Sequence, residues 1–289
     1  MKLKPEKYEL ALAGAVLALL AVALVAPALA QSAQHHHFAD TRAWAWLPFA
    51  ADVLSNLPFL LWGVLGLGML ARQRHGTARR VDAASHALMG LFFAGLVVTA
   101  FMSAFYHWQP DDAGLALDRL GMVVAFAGLM GLAAAGRVSA RASGLLALAV
   151  LLLGPVSIRV WSATGNVLPW AVLQFGGMLL VLCLAWLKPL PGAPAIRWGW
   201  VMVIYALAKG FEMADEAVFA ATAQLVSGHS LKHVVASCAA WPVVFALLDH
   251  RKSRAEFASS SRATKPARPS KRTATWRRKT SQIKKRSEA

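Results

Sequence analysis

Five polar residues with side chains capable of chemistry stand within otherwise apolar segments of this sequence. Ser103 and His107 lie four residues apart in SAFYH, and His229 and His233 have the same spacing in HSLKH. A spacing of four places two side chains on one face of a helix. Asp118 follows soon after His107, in LDR. Polar side chains are costly inside a bilayer, so these residues indicate a functional site.

Three imidazoles with a nearby carboxylate and hydroxyl are typical of a hydrolytic zinc centre. Three neutral histidines are a common catalytic ligand set that leaves one zinc position open for water. The spacing predicts His107, His229 and His233 as metal ligands, with Asp118 accepting a proton from water that zinc has made acidic. Ser103 would hydrogen-bond the developing oxyanion. Histidines that only pack or hydrogen-bond are one alternative, and paired haem ligands are another, which gives Asp118 and Ser103 no role.

The elements that must position these residues are membrane helices. Of the 289 residues, 57% are hydrophobic and 15% are charged, whereas soluble domains carry about 25% charged residues. In lipid, every backbone polar group must form its hydrogen bond within the protein, and a helix does this within one segment. We therefore predict an all-α membrane protein, a seven-transmembrane helix bundle preceded by one more apolar segment. The predicted spans are residues 52–71, 84–107, 114–136, 142–162, 168–187, 197–219 and 228–248.

The apolar segment before the seven spans has two interpretations. Residues 1–33 combine a basic start, an apolar core and the small-residue stretch APALAQ, which fits either a removed signal peptide or an extra transmembrane helix. The core is a little long for a signal peptide, which favours retention. Either way, residues 34–51 become an extracytoplasmic segment, followed by the seven-span domain at 52–249 and a basic tail at 250–289.

The charges of the connecting segments set the orientation. By the positive-inside rule, basic connections face the cytoplasm. The basic ones are residues 72–80, 136–141, 188–197 and the tail, and the others are residues 34–50, 109–114 and the stretch after 212–216. The five polar residues then share one layer near the extracytoplasmic face. An Ala/Leu-rich composition with a signal-like start favours a bacterial cytoplasmic (inner) membrane, with the C-terminus in the cytoplasm.

The basic tail accounts for most of the formal net charge of +16. It is rich in Lys, Arg, Pro, Ser and Thr and poor in large apolar residues, which is typical of a disordered segment. We predict a cytoplasmic anchor that touches anionic lipid. Nucleic-acid binding is the disfavoured alternative, and no nucleic-acid partner is expected.

Further polar residues are expected to have structural roles. Lys209 and Glu212 are three residues apart and are predicted to pair, as is Lys232 with one of the acids in the sixth span. A charge network is favoured here, with an outer-shell role beside the histidines as the alternative. The histidine run at 35–37 is predicted to be a solvated loop, with adventitious metal binding as the alternative.

Three stretches resemble the alkaline ceramidase family. SAFYHWQPDDAGLALDRLGM resembles its pattern of Ser-x-x-x-His closing one span, with an Asp eleven residues after the His, and GHSLKH resembles its last-span His-x-x-x-His. DVLSNLPFLLWG, at residues 52–63, resembles the Ser-Asn signature in the first of its seven spans. The likeness covers about residues 38–250. Adiponectin-receptor-like proteins belong to the same wider superfamily.

The resemblance implies a seven-helix membrane hydrolase with zinc on His107, His229 and His233. Asp118 would act on the water at the zinc, and Ser103 would assist at the oxyanion. The implied reaction is cleavage of the amide of ceramides into a sphingoid base and a fatty acid. The alternative is a lipid-binding or receptor-like member of the superfamily with structural zinc and little turnover.

The sequence departs from the family pattern at two places. Eukaryotic members carry an acid-rich calcium site before the first span, but this chain has only Asp40 and Asp52 there, so calcium is doubtful. The acid of the sixth span is matched loosely, by Asp215 or Glu216. Because many bacteria make little sphingolipid, another N-acyl lipid is an alternative substrate.

Overall fold

The computed structural model describes residues 5–74 and 81–249, and these ranges contain helices but no β-strand. The predicted basic tail at 250–289 lies outside the described residues and stays a prediction. The helices are α1 (Pro5–Val25), α2 (Ala50–Leu54), α3 (Leu57–Arg74), α4 (Ala83–Trp108), α5 (Asp112–Arg137), α6 (Ala140–Thr164), α7 (Leu168–Ala171), α8 (Gly177–Ala185), α9 (Trp198–Met213), α10 (Asp215–Ala221) and α11 (Gly228–Ser237). A π-helical turn, Val172–Gly176, joins α7 to α8, and a 3₁₀ turn, Cys238–Ala240, follows α11.

The predicted membrane helix bundle is confirmed. Among the described residues, seven helical segments are long and apolar enough to cross a membrane. Apolar side chains on their outer surfaces are exposed, as expected where lipid rather than water surrounds a protein. The seven segments are Glu6–Val25, Ala50–Gln73, Ala83–Trp108, Asp112–Arg137, Ala140–Thr164, Leu168–Ala185 and Gly228–Asp249.

The predicted span over 197–219 differs from a single straight helix. It consists of α9, with 16 residues, and α10, with seven, separated at Ala214. A helix needs about 20 residues to cross a bilayer, so α9 alone is short. The carboxylate of Asp215 accepts backbone hydrogen bonds from other segments, at Ala39 and His229, and these contacts hold the chain where the direction changes.

Helices α4 and α5 pack closely in the centre of the bundle. A Cβ atom on Gly95 would lie 2.3 Å from the backbone nitrogen of Ala125, and one on Gly128 would lie 2.3 Å from that of Phe92. Small residues let membrane helices approach to backbone contact. This close packing sets the end of α4, which carries Ser103 and His107, beside the start of α5, which carries Asp118.

Helix α1 packs along the α6–α7 side of the bundle. Near its start, Glu9 accepts a hydrogen bond from Ser139 before α6. Beyond its end, the carbonyl of Leu29 accepts one from the backbone of Val167, just after α6. Helix α1 therefore runs the length of α6. Whether the segment is retained or removed as a signal peptide stays a prediction.

Candidate metal centre

Three histidines from two helices meet in the interior. His107 ends α4, while His229 and His233 lie on one face of α11. Their ring centroids are 4.8, 4.8 and 4.9 Å apart, and all three side chains are buried. One ligand nitrogen from each residue lies within 4.8 Å of the others. The group can therefore hold a metal ion.

The spacing of one nitrogen pair fits a tetrahedral ion. His107 Nε2 and His229 Nε2 are 3.3 Å apart, and two nitrogens bound to tetrahedral zinc are about 3.3 Å apart. Among the described residues, His107 Nδ1 is buried without a hydrogen-bond partner. Imidazole suits zinc but also copper, iron and nickel. Paired haem ligation needs an imidazole on each face of the porphyrin, and rings this close leave no space for one.

His233 is oriented by a serine of the Ser-Asn stretch. The Ser55 hydroxyl donates to the backbone carbonyl of Asp52 at 2.8 Å and lies 2.8 Å from His233 Nδ1. Because its hydrogen is already used, the hydroxyl accepts from Nδ1–H. This assignment leaves a lone pair on Nε2 for a metal ion, an outer-shell arrangement that is usual for metal-binding histidines.

The start of α11 is fixed by two carboxylates. Asp215 accepts from the His229 backbone N–H at 2.7 Å and from the Ala39 N–H at 2.9 Å. Asp52 is fully buried and accepts from the Ser230 hydroxyl at 2.6 Å. Ser227 caps the helix by accepting from the Ser230 N–H. Both histidines of α11 are therefore positioned by residues from three other segments.

The predicted charge network exists and touches the histidines. Glu212 pairs with Lys209 and, at 3.1 Å, with Lys232. The Lys232 ammonium also lies 3.0 Å from His229 Nε2. The pairing of Lys209 with Glu212 follows from their spacing in the sequence. The contact of Lys232 with a candidate ligand nitrogen does not.

Ser103 and Asp118 form a pair beside the histidine group. The Ser103 hydroxyl lies near the Asp118 carboxyl. Both residues line a cavity of about 850 Å³ that His229 and His233 also line. The structure thus brings together all five residues singled out by type and spacing. Apolar side chains form much of the remaining wall, among them Phe92, Leu96, Phe126, Met178 and Val201.

The loop before α2 contributes a residue that the sequence did not single out. Phe38 is buried, with its ring centroid 4.8 Å from that of His107 and 4.6 Å from that of His229. It packs against both imidazoles. The one available signal was an aromatic residue in an otherwise polar run, HHHFAD.

The interpretation of residues 35–37 as a solvated run is wrong for two of the three histidines. His37 is exposed, but His35 and His36 are half-buried. Their Nε2 atoms lie 2.9 and 3.1 Å from the same oxygen of Asp112. The reason is tertiary: the loop folds against the start of α5, which the local sequence does not reveal.

The two acids of the doubtful calcium site have other described contacts. Asp40 is buried and paired with Arg42 at 2.6 Å, while Asp52 serves the start of α11. Of the two candidates for the sixth-span acid, Asp215 contacts the His229 backbone and Glu216 is exposed.

No protein-family model matches this chain, and a comparison with curated proteins finds no match. The likeness to alkaline ceramidases therefore rests on the residues of the three stretches and on their spacing.

Proposed function

We propose that this protein is a zinc-dependent intramembrane amidase that hydrolyses the N-acyl amide of ceramide-like lipids to a sphingoid base and a free fatty acid. The observation that carries the proposal is the buried three-histidine group together with Ser103 and Asp118, which line the same cavity as His229 and His233. The amide substrate comes from the resemblance of SAFYH, LDR and GHSLKH to alkaline ceramidases. Another N-acyl lipid is the alternative substrate.

Each residue of the group has a role in this reaction. His107, His229 and His233 would hold the ion, which when bound supplies a Lewis acid and lowers the pKa of water. Asp118 accepts a proton from the water as the water oxygen bonds to the amide carbon. The same carboxyl returns the proton to the nitrogen as the C–N bond breaks. Ser103 donates a hydrogen bond to the oxygen that gains negative charge.

The cavity suits a lipid with one polar group. Its volume of about 850 Å³ is within the range of roughly 300–1,000 Å³ found for ligand pockets. The polar residues lie together, and apolar side chains of α4, α5 and α9 offer a surface for an acyl chain. From the charges of the connecting segments we further infer that the site lies near the extracytoplasmic face of a bacterial inner membrane, with the C-terminus in the cytoplasm.

The test combines metal analysis with product analysis on purified full-length protein. Wild type is expected to carry zinc and to release fatty acid and sphingoid base from ceramides. His229→Ala should lose zinc, whereas Asp118→Asn should keep zinc and lose about 10²- to 10⁴-fold in rate. Glu216→Gln, which changes an exposed acid of α10, is the matched control and should behave as wild type.

Two outcomes would decide against the amidase. Equal absence of zinc from wild type and His229→Ala would remove the metal centre. Zinc present without release of fatty acid from a panel of ceramides and other N-acyl lipids, at excess protein, would favour the lipid-binding or receptor-like alternative.

A further inference from the structure

Three residues outside the central group converge on one point. His35 and His36 lie in the loop between α1 and α2, and Asp112 is the first residue of α5. One ligand atom from each lies within 4.8 Å of the others. None of the three takes part in the proposed amide hydrolysis.

The hydrogen bonds of the two imidazoles fix where their protons lie. His35 Nδ1 is 2.5 Å from the carbonyl oxygen of Ser32, which only accepts, so Nδ1 carries the hydrogen. His36 Nδ1 is 2.9 Å from the Tyr106 hydroxyl. That hydroxyl donates its own hydrogen to the His35 carbonyl at 3.2 Å, so it accepts from His36 Nδ1–H. In neutral imidazoles, both Nε2 atoms are then lone-pair acceptors.

These two lone pairs face a third acceptor. The same Asp112 oxygen lies 2.9 Å from His35 Nε2 and 3.1 Å from His36 Nε2. Three acceptor atoms at such distances repel one another unless a proton or a metal ion lies between them. Two nitrogens and one carboxylate oxygen are a known zinc ligand set, and Nδ1–H donation to a carbonyl or hydroxyl is the usual support of such ligands.

We infer that His35, His36 and Asp112 form a second metal site for a divalent transition-metal ion, with zinc as the reference ion. Ligand atoms on tetrahedral zinc are about 3.3 Å apart, so the Asp112 oxygen needs to move away from each nitrogen by only a few tenths of an ångström. The Asp112 side chain is 70% exposed and has the space to do so. Calcium prefers all-oxygen ligands, and the two imidazoles disfavour it.

A metal ion at this site would connect the loop to the helix bundle. His35 and His37 line the same cavity as His229 and His233, and Gln31 accepts a hydrogen bond from Arg119 of α5. A bound ion would add a bond between this loop and the start of α5. It would therefore slow opening of the loop beside the cavity.

The experiment counts zinc per chain in full-length protein purified through a tag without histidines and dialysed against a weak chelator. Wild type is expected to keep two ions per chain. Asp112→Asn and the double variant His35→Ala/His36→Ala should each keep one, and the double variant His229→Ala/His233→Ala should also keep one. Backbone hydrogen exchange in residues 30–40 should slow on zinc addition in wild type but not in Asp112→Asn.

His37→Ala is the matched control, because it removes an exposed histidine of the same run and should leave two ions. The inference is overturned if wild type keeps one ion that Asp112→Asn does not reduce, or if His37→Ala loses as much as the cluster variants. If Asp112→Asn loses an ion that His229→Ala/His233→Ala keeps, this second site is supported. That result would hold even if the amidase proposal failed.

Discussion

The three central imidazoles differ in what holds each ring. His233 donates to Ser55, His229 Nε2 faces the Lys232 ammonium, and His107 has a buried Nδ1 without a partner. Two of the three rings therefore have a polar neighbour that can be changed, Ser55 for His233 and Lys232 for His229. Substitution of these neighbours should change metal affinity while the ligands stay in place.

Ser55→Ala should weaken zinc binding by about 10- to 100-fold, as is usual when an outer-shell partner of a metal-binding histidine is lost. The variant removes the acceptor that fixes the His233 tautomer. Zinc affinity is measured by competition with a chelator. Ser157→Ala is the control, since that hydroxyl donates to the Gly154 carbonyl within its own helix, α6. Equal affinities in wild type and Ser55→Ala would contradict the assignment.

Lys232→Met should tighten zinc binding by about tenfold or more. The Lys232 ammonium lies 3.0 Å from His229 Nε2 and would repel a metal cation there. Like charges about 4 Å apart repel by about 4 kcal/mol at an effective dielectric constant of 20. The same chelator competition gives the result. Lys209→Met is the matched control, because Lys209 pairs with Glu212 too but acts on His229 more weakly than Lys232 does, so its effect should be smaller. Weaker binding in Lys232→Met would show that the lysine supports the ion.

At the scale of elements, the position of α11 decides the site. The helix starts against the α9–α10 break, with its first backbone N–H groups held by Ser227 and Asp215. Because His229 and His233 are both on this helix, a small displacement of its start moves two ligands together. Close packing at this point therefore sets the positions of both histidines.

Gly228→Ala should disturb both stability and metal binding. An added Cβ would lie 2.3 Å from the Phe211 carbonyl oxygen and 2.7 Å from the Asp215 Cα, and neither backbone atom can move freely. Overpacking of this kind costs about 1–3 kcal/mol. Thermal unfolding in detergent and zinc affinity should both fall. Gly210→Ala, with no atom within 4 Å of its Cβ, should stabilise α9 by about 0.5–1 kcal/mol. An unchanged Gly228→Ala would show that α11 is not fixed there.

The loop before α2 contains a pH-dependent contact. The Arg42 side chain donates two hydrogen bonds to Asp40 and also contacts the Leu225 carbonyl, close to the start of α11. These hydrogen bonds hold the pKa of Asp40 below its usual 3.8. A carboxyl whose pKa is lower in the folded state stabilises the fold above the unfolded pKa, and this stabilisation is lost as the pH falls through the folded pKa.

We therefore expect Asp40→Asn to have a lower Tm than wild type at pH 7. The difference should shrink as the pH falls below about 4, because wild type then loses its own charge on Asp40. Thermal unfolding in detergent at several pH values measures it. Glu216→Gln, at an exposed position, should show little difference at any pH. A difference between Asp40→Asn and wild type that stays constant down to pH 3 would contradict the ion-pair explanation.

At the scale of the whole molecule, the bundle gathers its polar residues at one end. The loop before α2, the connection after α4 and the segment before α11 all contribute to this end, where the histidines, Asp118 and Asp215 lie. The contacts show that these segments are neighbours. The charges of the connecting segments predict on which side of the membrane they lie.

The predicted orientation is tested by thiol labelling after Cys183 and Cys238 are replaced by alanine. Gln34→Cys and Pro191→Cys each introduce one exposed thiol. A membrane-impermeant reagent should label Gln34→Cys in cells whose inner membrane is intact, and Pro191→Cys only after that membrane is opened. The opposite pattern would reverse the orientation and place the site at the cytoplasmic face.

The sequence alone determined the features that depend on local pattern. Apolar runs define membrane helices because each run must form its backbone hydrogen bonds within itself. The four-residue spacings of Ser103–His107 and His229–His233 fix common faces because helical geometry is periodic. The pairing of Lys209 with Glu212 follows in the same way, and the structure confirms it.

Only the tertiary structure decided which distant residues meet. Contacts between Ser55 and His233, Phe38 and His107, or His36 and Asp112 join residues far apart in the chain. No periodicity encodes such contacts, since they depend on how helices cross and where loops fold back. The break between α9 and α10 was hidden for the same reason: the carboxylate of Asp215 binds backbone groups of two other segments.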